Sequence, residues 1–261
     1  MNQLNIEQHF RTDEAPIISQ IQDWINQSND QYRPVITPFL NPRQRYIART
    51  LVNRIGAIKM SAAGGKEDAE MQRLLFYPDY YKPNKDDFSL AFLEIIYPEK
   101  FAELHHRQIM GTLIGEGLER NTFGDILTDG ENWQLVTTKQ MAQFIQSRIN
   151  HLGKIKVKWK EIPKEKLVIE KEDWETITTT VSSFRLDAVI SAAYNYSRNR
   201  TKQIIERGLV QLNWQTMERP DYKIEEHDFL SVRHLGRIKI EEIGGTTRKK
   251  KQRITFSVIH A

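Results

Sequence analysis

Phe184-Arg185-Leu186-Asp187-Ala188-Val189-Ile190, followed by Ser197-Arg198-Asn199-Arg200-Thr201-Lys202-Gln203-Ile204-Ile205-Glu206-Arg207-Gly208-Leu209-Val210-Gln211-Leu212-Asn213, decides how this chain is read. Leu186, Val189, Ile190 and Ala193 recur at i, i+3, i+4 and i+7, which puts one apolar stripe on a helix. Ser182 or Ser183 can cap that helix, and Asn195 ends it. Ser197 can cap a second helix with Thr201, Ile204 and Ile205 turned inward, and Gly208 suits the left-handed position after its last turn. Val210, Leu212 and Trp214 then alternate as a strand, with further strands at 229–232, 237–240 and 253–258.

The second helix carries the chemistry. Its N-terminus has free backbone N–H groups and a partial positive charge. Arg198 and Lys202, four apart, share a face, and reversing both charges is expected to abolish binding without unfolding the chain. Arg200 lies round the side, Gln203 can donate to or accept from a base edge or ribose, and Arg185 can join from the first helix. Asp187 reads as a local ion-pair partner of Arg185 that organises the helix start. Such a surface suits A-form RNA, which is recognised through phosphates, 2′-hydroxyls and shape.

Charge agrees with that placement. Residues 182–257 hold 15 Lys and Arg against 9 Asp and Glu, a net +6, in a chain whose formal charge is +4 from 38 basic and 34 acidic residues. The remainder therefore sums to −2. A basic module on a near-neutral body fits a polyanion, although charge alone does not separate that from a solvated face.

The 261 residues suffice for two or three domains. The expected class is α+β in three modules. Residues 1–82 read as an N-terminal α/β domain, with a helix through Ile17, Ile18, Ile21, Trp24 and Ile25 and an extended, proline-punctuated link at 32–39. Asn41-Pro42 opens a second helix, a short strand lies near 57–61, and residues 67–75 read as helical after the Gly64-Gly65 break. Residues 83–180 read as β-α-β-β-α-β: a strand at 88–97, a helix at 105–117, a hairpin through Asp129-Gly130, a helix capped by Thr138, and a half-buried strand at 154–159. That order predicts a small ferredoxin-like sandwich. Residues 181–261 form the third module.

Arg185-Leu186-Asp187, Ser197-Arg198, Lys202-Gln203, Ile205, Gly208, Val210, Asn213 and Asp228 together resemble the S4 domain, an RNA-binding fold, with His227 where that family usually has glycine. Over nearly the whole chain, Phe39-Leu40-Asn41-Pro42-Arg43, Gly64-Gly65-Lys66-Glu67-Asp68-Ala69-Glu70, His106-Arg107-Gln108-Ile109-Met110-Gly111, Phe123-Gly124-Asp125-Ile126-Leu127 and Ser231-Val232-Arg233-His234-Leu235-Gly236-Arg237 resemble the YlmH family of bacterial S4 proteins. Family members commonly have a Gly-Phe-Gly-type segment where this chain has His234-Leu235-Gly236. The resemblance implies an RRM-like middle module and a role in ribosome-associated quality control. The implied partners are rRNA of the large ribosomal subunit, peptidyl-tRNA and quality-control elongation factors, and the family is encoded near cell-division genes. It also implies RNA contact by Arg185, Ser197, Arg198, Arg200, Thr201, Lys202 and Gln203, with Arg233, Arg237 and the hairpin cations Lys249 and Lys250 as further contacts.

No catalytic residue, metal ligand or cofactor is expected. Arg185-Leu186-Asp187 mimics a pseudouridine-synthase motif but sits in the S4 helix with too little chain after it. The nucleotide-binding signature of a tyrosyl-tRNA synthetase is absent, and Lys59-Met60-Ser61 lacks the second lysine of its partner loop. Gly64-Gly65-Lys66 fails the phosphate-loop pattern, and Gly115-Glu116-Gly117 fails the dinucleotide pattern because Arg120 replaces a glycine. His105 and His106 diverge by about 100° on a helix, which disfavours a shared metal. The absence of cysteine excludes disulfides and thiolate metal sites. The polar start Met1–His9 lacks a signal-peptide core and no apolar run approaches about 18 residues, so no membrane partner and a cytoplasmic location are expected. The competing readings are an RNA-modifying enzyme that uses the S4 domain for recruitment, and a division-associated adaptor.

Overall fold

The computed structural model describes residues 10–169 and 174–261, so Met1–His9 lie outside the described residues. The class is α+β. The chain divides into two compact units, residues 1–171 and 172–261.

The first unit begins with helix α1 (Ala15–Asp30), which buries Ile18, Ile21 and Ile25. Strand β1 (Val35–Leu40), helix α2 (Pro42–Val52), and strands β2 (Ile58–Ala63) and β3 (Gln72–Pro78) follow. The strands form an antiparallel sheet ordered β1-β3-β2, and Ile47, Leu51, Leu74 and Phe76 complete the core with α1. Two expectations fail here. The link at 32–39 is mostly strand β1; Pro38 is accommodated because β1 is an edge strand and its register shifts between Ile36 and Phe39. Residues 67–75 are not helical, and Gln72 opens the central strand. Leu74, Leu75 and Phe76 are all buried there, a continuous apolar run in which periodicity cannot separate strand from helix.

Asn41 caps α2 by accepting from the Gln44 N–H at 2.9 Å, while the Gln44 side chain accepts the Asn41 N–H at 3.0 Å. The buried Arg43 guanidinium donates to both carboxylate oxygens of Glu14, at 2.8 and 3.0 Å. Burial alone would raise the Glu14 carboxyl, but Arg43 and Arg11 outweigh it and hold it below the ordinary range.

Strand β4 (Leu90–Ile96), helix α3 (His106–Gly115), strands β5 (Phe123–Thr128) and β6 (Trp133–Thr138), and helix α4 (Lys139–Arg148) come next. A hairpin of β7 (His151–Leu152) and β8 (Ile155–Lys156) precedes strand β9 (Lys158–Ile162). The sheet order β5-β6-β4-β9, antiparallel throughout, is that of a ferredoxin-like sandwich. The stretch expected as one strand at 154–159 is divided between β8 and β9 around the buried Val157. One sheet face packs Ala91, Leu93, Ile95 and Leu135 with Ile109, Leu113 and Ile145 of the helices.

The other face is roofed. Gly65, at φ +94°, approaches so closely that a Cβ there would lie 3.1 Å from Phe92 and 3.3 Å from Val136 and Leu167. A Cβ on Gly124 would come within 2.9 Å of the Phe39 ring. Gln134 is buried beneath residues 166–168: its amide donates to the Lys166 carbonyl at 3.0 Å and its oxygen accepts the Val168 N–H at 2.8 Å. Asp125 anchors the segment behind the glycines by accepting the Glu70 and Met71 N–H groups at 2.8 and 3.0 Å. Burial, reinforced by Glu70, pushes this carboxyl up to about 7 against the opposing Arg120.

In the second unit, strand β10 (Glu175–Val181) is followed by helices α5 (Leu186–Tyr194) and α6 (Arg198–Glu206). Strands β11 (Val210–Leu212), β12 (Gln215–Thr216), β13 (Phe229–Val232), β14 (Gly236–Thr246) and β15 (Gln252–His260) complete it. The sheet runs β10-β15-β14-β13-β11-β12, and Leu186, Val189, Ile190 and Ile205 pack on Leu230, Ile238, Ile254 and Phe256. β10 pairs with β15 along its whole length, from Glu175 opposite Val258 to Val181 opposite Gln252, so this sheet begins before residue 181. Trp214 does not continue β11. Asn213 and Trp214 both take positive φ, 49° and 67°, in the two-residue turn between β11 and β12, and the Trp214 ring stacks on Phe229 at 5.1 Å. His227 has φ +64°, so the turn that glycine usually serves in the S4 family keeps its left-handed backbone here with a side chain present.

Gly64→Ala tests the roof. Its Cβ would sit 2.4 Å from the Met71 carbonyl oxygen, which is backbone and cannot swing aside. The expected loss is about 1–3 kcal/mol, read as a lower urea midpoint with an unchanged m-value.

Candidate RNA-binding surface

The site is built around the start of α5. Neither serine caps it. Arg185 occupies the N-cap position, and the first helical N–H groups find backbone acceptors instead: Leu186 donates to the Tyr222 carbonyl at 2.8 Å and Asp187 to that of Pro220 at 3.1 Å. Ile224 N–H donates to the Phe184 carbonyl at 2.7 Å. Ser182 turns its hydroxyl to another use, accepting from Arg198 at 3.0 Å.

Asp187 is 0% exposed. One oxygen accepts from Arg198 at 2.8 Å, and Arg185 reaches the two oxygens at 3.3 and 3.4 Å. Burial works to raise this carboxyl, but the hydrogen bonds and charges of Arg198 and Arg185 prevail and hold it below the ordinary carboxylate range. Both arginine side chains remain about two-fifths exposed while bonded to the buried carboxylate.

Ser197 caps α6, its hydroxyl accepting the Arg200 N–H at 3.3 Å. The Arg200 guanidinium lies 3.7 Å above the centre of the Tyr196 ring, a close cation–π stack that restrains a long side chain. Lys202 and Gln203 are exposed on the next turn with Asn199. Thr201, expected among the contacts, is fully buried and donates to the Ser197 carbonyl at 3.1 Å, so its role is in the helix start. Sequence reasoning misses Tyr196 and Ser182. The four-residue spacing of Tyr196 and Arg200 is the signal available for the first; nothing local marks the second.

The remaining predicted residues lie elsewhere in the unit. Arg233 is exposed in the turn between β13 and β14, its N–H donating to the Leu209 carbonyl at 2.9 Å. Phe229, Arg237 and Lys239 alternate with the core residues Leu230, Ile238 and Ile240 and so leave the sheet on its opposite side. There Arg237 lies 5.4 Å over Trp174, and the Lys239 ammonium 4.0 Å over the same ring. Lys249 and Lys250 sit exposed with Arg248 at the tip of the β14–β15 hairpin, closed by Thr247 and Lys251. Asp228 and Asn213, both in the S4 resemblance, are architectural: Asn213 donates to Asp228 at 2.8 Å and accepts the Phe229 N–H at 3.0 Å.

The Arg198–Asp187 bond changes what a charge reversal would mean. A glutamate at 198 would face the buried Asp187 and threaten the fold, so Arg200 and Lys202 are the pair that tests binding cleanly. Asp187→Asn should cost about 1.5–3 kcal/mol, the range for hydrogen bonds to charged groups. Because the folded carboxyl titrates below the unfolded one, the stability it supplies is full above about pH 4. It disappears as pH falls through the folded value. Urea midpoints of the two proteins should therefore differ at pH 7 and converge as the pH falls through the folded value.

Three family models match the chain in order: "YlmH, N-terminal" over residues 13–81, "Putative RNA-binding domain in YlmH" over 83–166, and "S4 domain" over 184–230. The chain is 36% identical over 252 residues to the Bacillus subtilis (strain 168) "Ribosome-associated protein quality control protein P2", covering 97% of this chain and 98% of that one. Among solved structures it resembles "Cell division protein ylmH from Streptococcus pneumoniae", with 36% identity and a TM-score of 0.54 over 61% of this chain and 98% of that one. With an S4 domain at its C-terminal end and such a relative along almost its full length, this chain belongs to the YlmH family.

Proposed function

We propose that this protein is a non-enzymatic RNA-binding factor that engages rRNA and tRNA on the large ribosomal subunit during quality control of stalled nascent chains. The observation that carries the reading is the construction of α6. Arg198 is held by the buried Asp187, Arg200 by Tyr196, and Lys202 and Gln203 project from the same short helix. Cations pre-positioned on a rigid helix lose little freedom on meeting phosphates. The similarity to a protein named for ribosome-associated quality control supplies the setting. On this reading the partners include peptidyl-tRNA and quality-control elongation factors, and the protein acts in the cytoplasm; the expected boundary at 180/181 gives way to one before β10, which pairs with β15. No helix among the described residues is long and apolar enough to cross a membrane.

Co-sedimentation with purified bacterial large subunits and stalled large-subunit complexes across a salt series tests the proposal. Wild type should bind with a steep loss of affinity as salt rises. Arg200→Gln/Lys202→Gln should weaken binding and flatten the slope of log affinity against log salt by about 1.4–1.8, because two phosphates are no longer neutralised. Equal binding by the folded double variant would remove α6 from the interface, and failure of wild type to bind either particle would remove the ribosome from the reading.

A further inference from the structure

In a ferredoxin-like RNA-binding module the open sheet face is the usual place for bases to stack on exposed aromatic side chains. Here that place is filled. Phe92 and Val136, on neighbouring strands β4 and β6, are covered by Gly65 and Leu167, and Gln134 is bonded on both sides by residues 166 and 168. If the middle module contacts RNA, it does so from another surface.

Residues 154–166 supply one. Lys154, Lys156, Lys158 and Lys160 alternate with Ile155, Val157 and Trp159, and Lys164 and Lys166 follow in the turn that leads over the sheet. All six lysines are exposed. Of the six, Lys160 alone has a carboxylate partner among the described residues, Glu94 at 3.7 Å. Glu161 and Glu165 are the only acids in the segment, so it carries +4, as much as the whole chain. The chain outside residues 182–257 sums to −2; without this segment it would stand at −6. Lysine on an edge strand also guards against pairing with other chains, and β9 is an edge strand. That explanation covers Lys158 and Lys160 on β9 and Lys156 on β8, which belongs to a two-stranded sheet. It leaves Lys154 in the β7–β8 turn and Lys164 and Lys166, which follow β9. Within β9, Lys158 and Lys160 are alternate residues of extended chain, about 6.7 Å apart, a spacing on the scale of one nucleotide step along a stretched strand.

We propose that the middle module holds an RNA phosphate backbone along this lysine margin, from Lys154 to Lys166, and not on its covered sheet. The contact would be sequence-independent, because lysine reads phosphate as a point charge and the one aromatic ring within the segment, Trp159, is buried. It rests on the RNA-binding reading above and adds a second anchorage to that of α6.

The test uses the full chain and purified bacterial large ribosomal subunits in the same salt series. Lys154→Gln/Lys156→Gln/Lys158→Gln should lower affinity at low salt and flatten the slope by about 2.1–2.7, for three phosphates released. The corresponding triple arginine variant should keep the wild-type slope. Lys164→Gln/Lys166→Gln, which lies outside every strand and so does not threaten sheet pairing, should flatten it by about 1.4–1.8. Glutamine variants with wild-type affinity and slope would overturn this proposal while the effect of Arg200→Gln/Lys202→Gln kept the broader reading intact. Wild type that fails to bind would overturn both.

Discussion

The C-terminal unit depends on one buried carboxylate. Asp187 lies in the first turn of α5, where the helix end favours negative charge. Two arginines, one from the N-cap of its own helix and one from the first turn of α6, converge on it. A carboxylate wholly removed from water is tolerable only when paired and hydrogen-bonded. The pairing fixes how α6 is presented and leaves both arginine side chains partly exposed. On the function proposed, stability and binding are coupled through the same atoms. Removing a cation from this group changes the fold as well as the surface, whereas Arg200, which rests on an aromatic ring, can be changed with the carboxylate left satisfied.

Close approach governs the first unit in a comparable way. The motif around Gly64-Gly65 has the look of a ligand loop, but both glycines serve packing: one passes within a Cβ's reach of the Met71 carbonyl, the other lies across Phe92. Asp125 then ties the segment that follows to β5. Phe39, Asn41 and Arg43 are likewise architectural, as a ring against Gly124, a helix cap and the partner of Glu14. Motifs shared across a family therefore do not all mark contact surfaces. Several here are the means by which the N-terminal strands and the ferredoxin-like sheet are joined, and the cost of that joining is the sheet face itself.

Much of this was legible in the chain. The β-α-β-β-α-β order, the Asn41 and Thr138 caps, the Asp129-Gly130 hairpin, the Asn195 helix end and Gly208 follow from local chemistry that tertiary structure leaves intact. Most of the errors share one cause, which is long-range pairing. Residues 67–75 have helix-forming composition, but a strand buried between β1 and β2 overrides it. Ser182 was a sound local candidate for a cap, yet the backbone of 220–222 reaches the helix start first. Trp214 continues a period-two pattern by coincidence, since the chain has already turned at Asn213. At the site, residue types and helix faces could be read from spacing. That Arg198 is committed to Asp187, and that Thr201 is sealed inside, required the packing of one helix against the other.

Two basic surfaces on two separately compact units have a consequence for affinity. Six solvated lysines or one short helix would each hold RNA less tightly as salt rises, because binding to phosphates is driven by counterion release. Covalent linkage makes the second engagement intramolecular once the first has formed, so its cost is set by effective concentration and not by bulk concentration. The salt slopes of the two surfaces then add, while the affinity gained exceeds what either supplies alone. A particle presenting phosphates to both units would be bound strongly, and a short RNA that spans only one would be bound weakly. On the reading proposed, selectivity for a large ribonucleoprotein over free RNA fragments would come from that geometry and would need no base-specific contact.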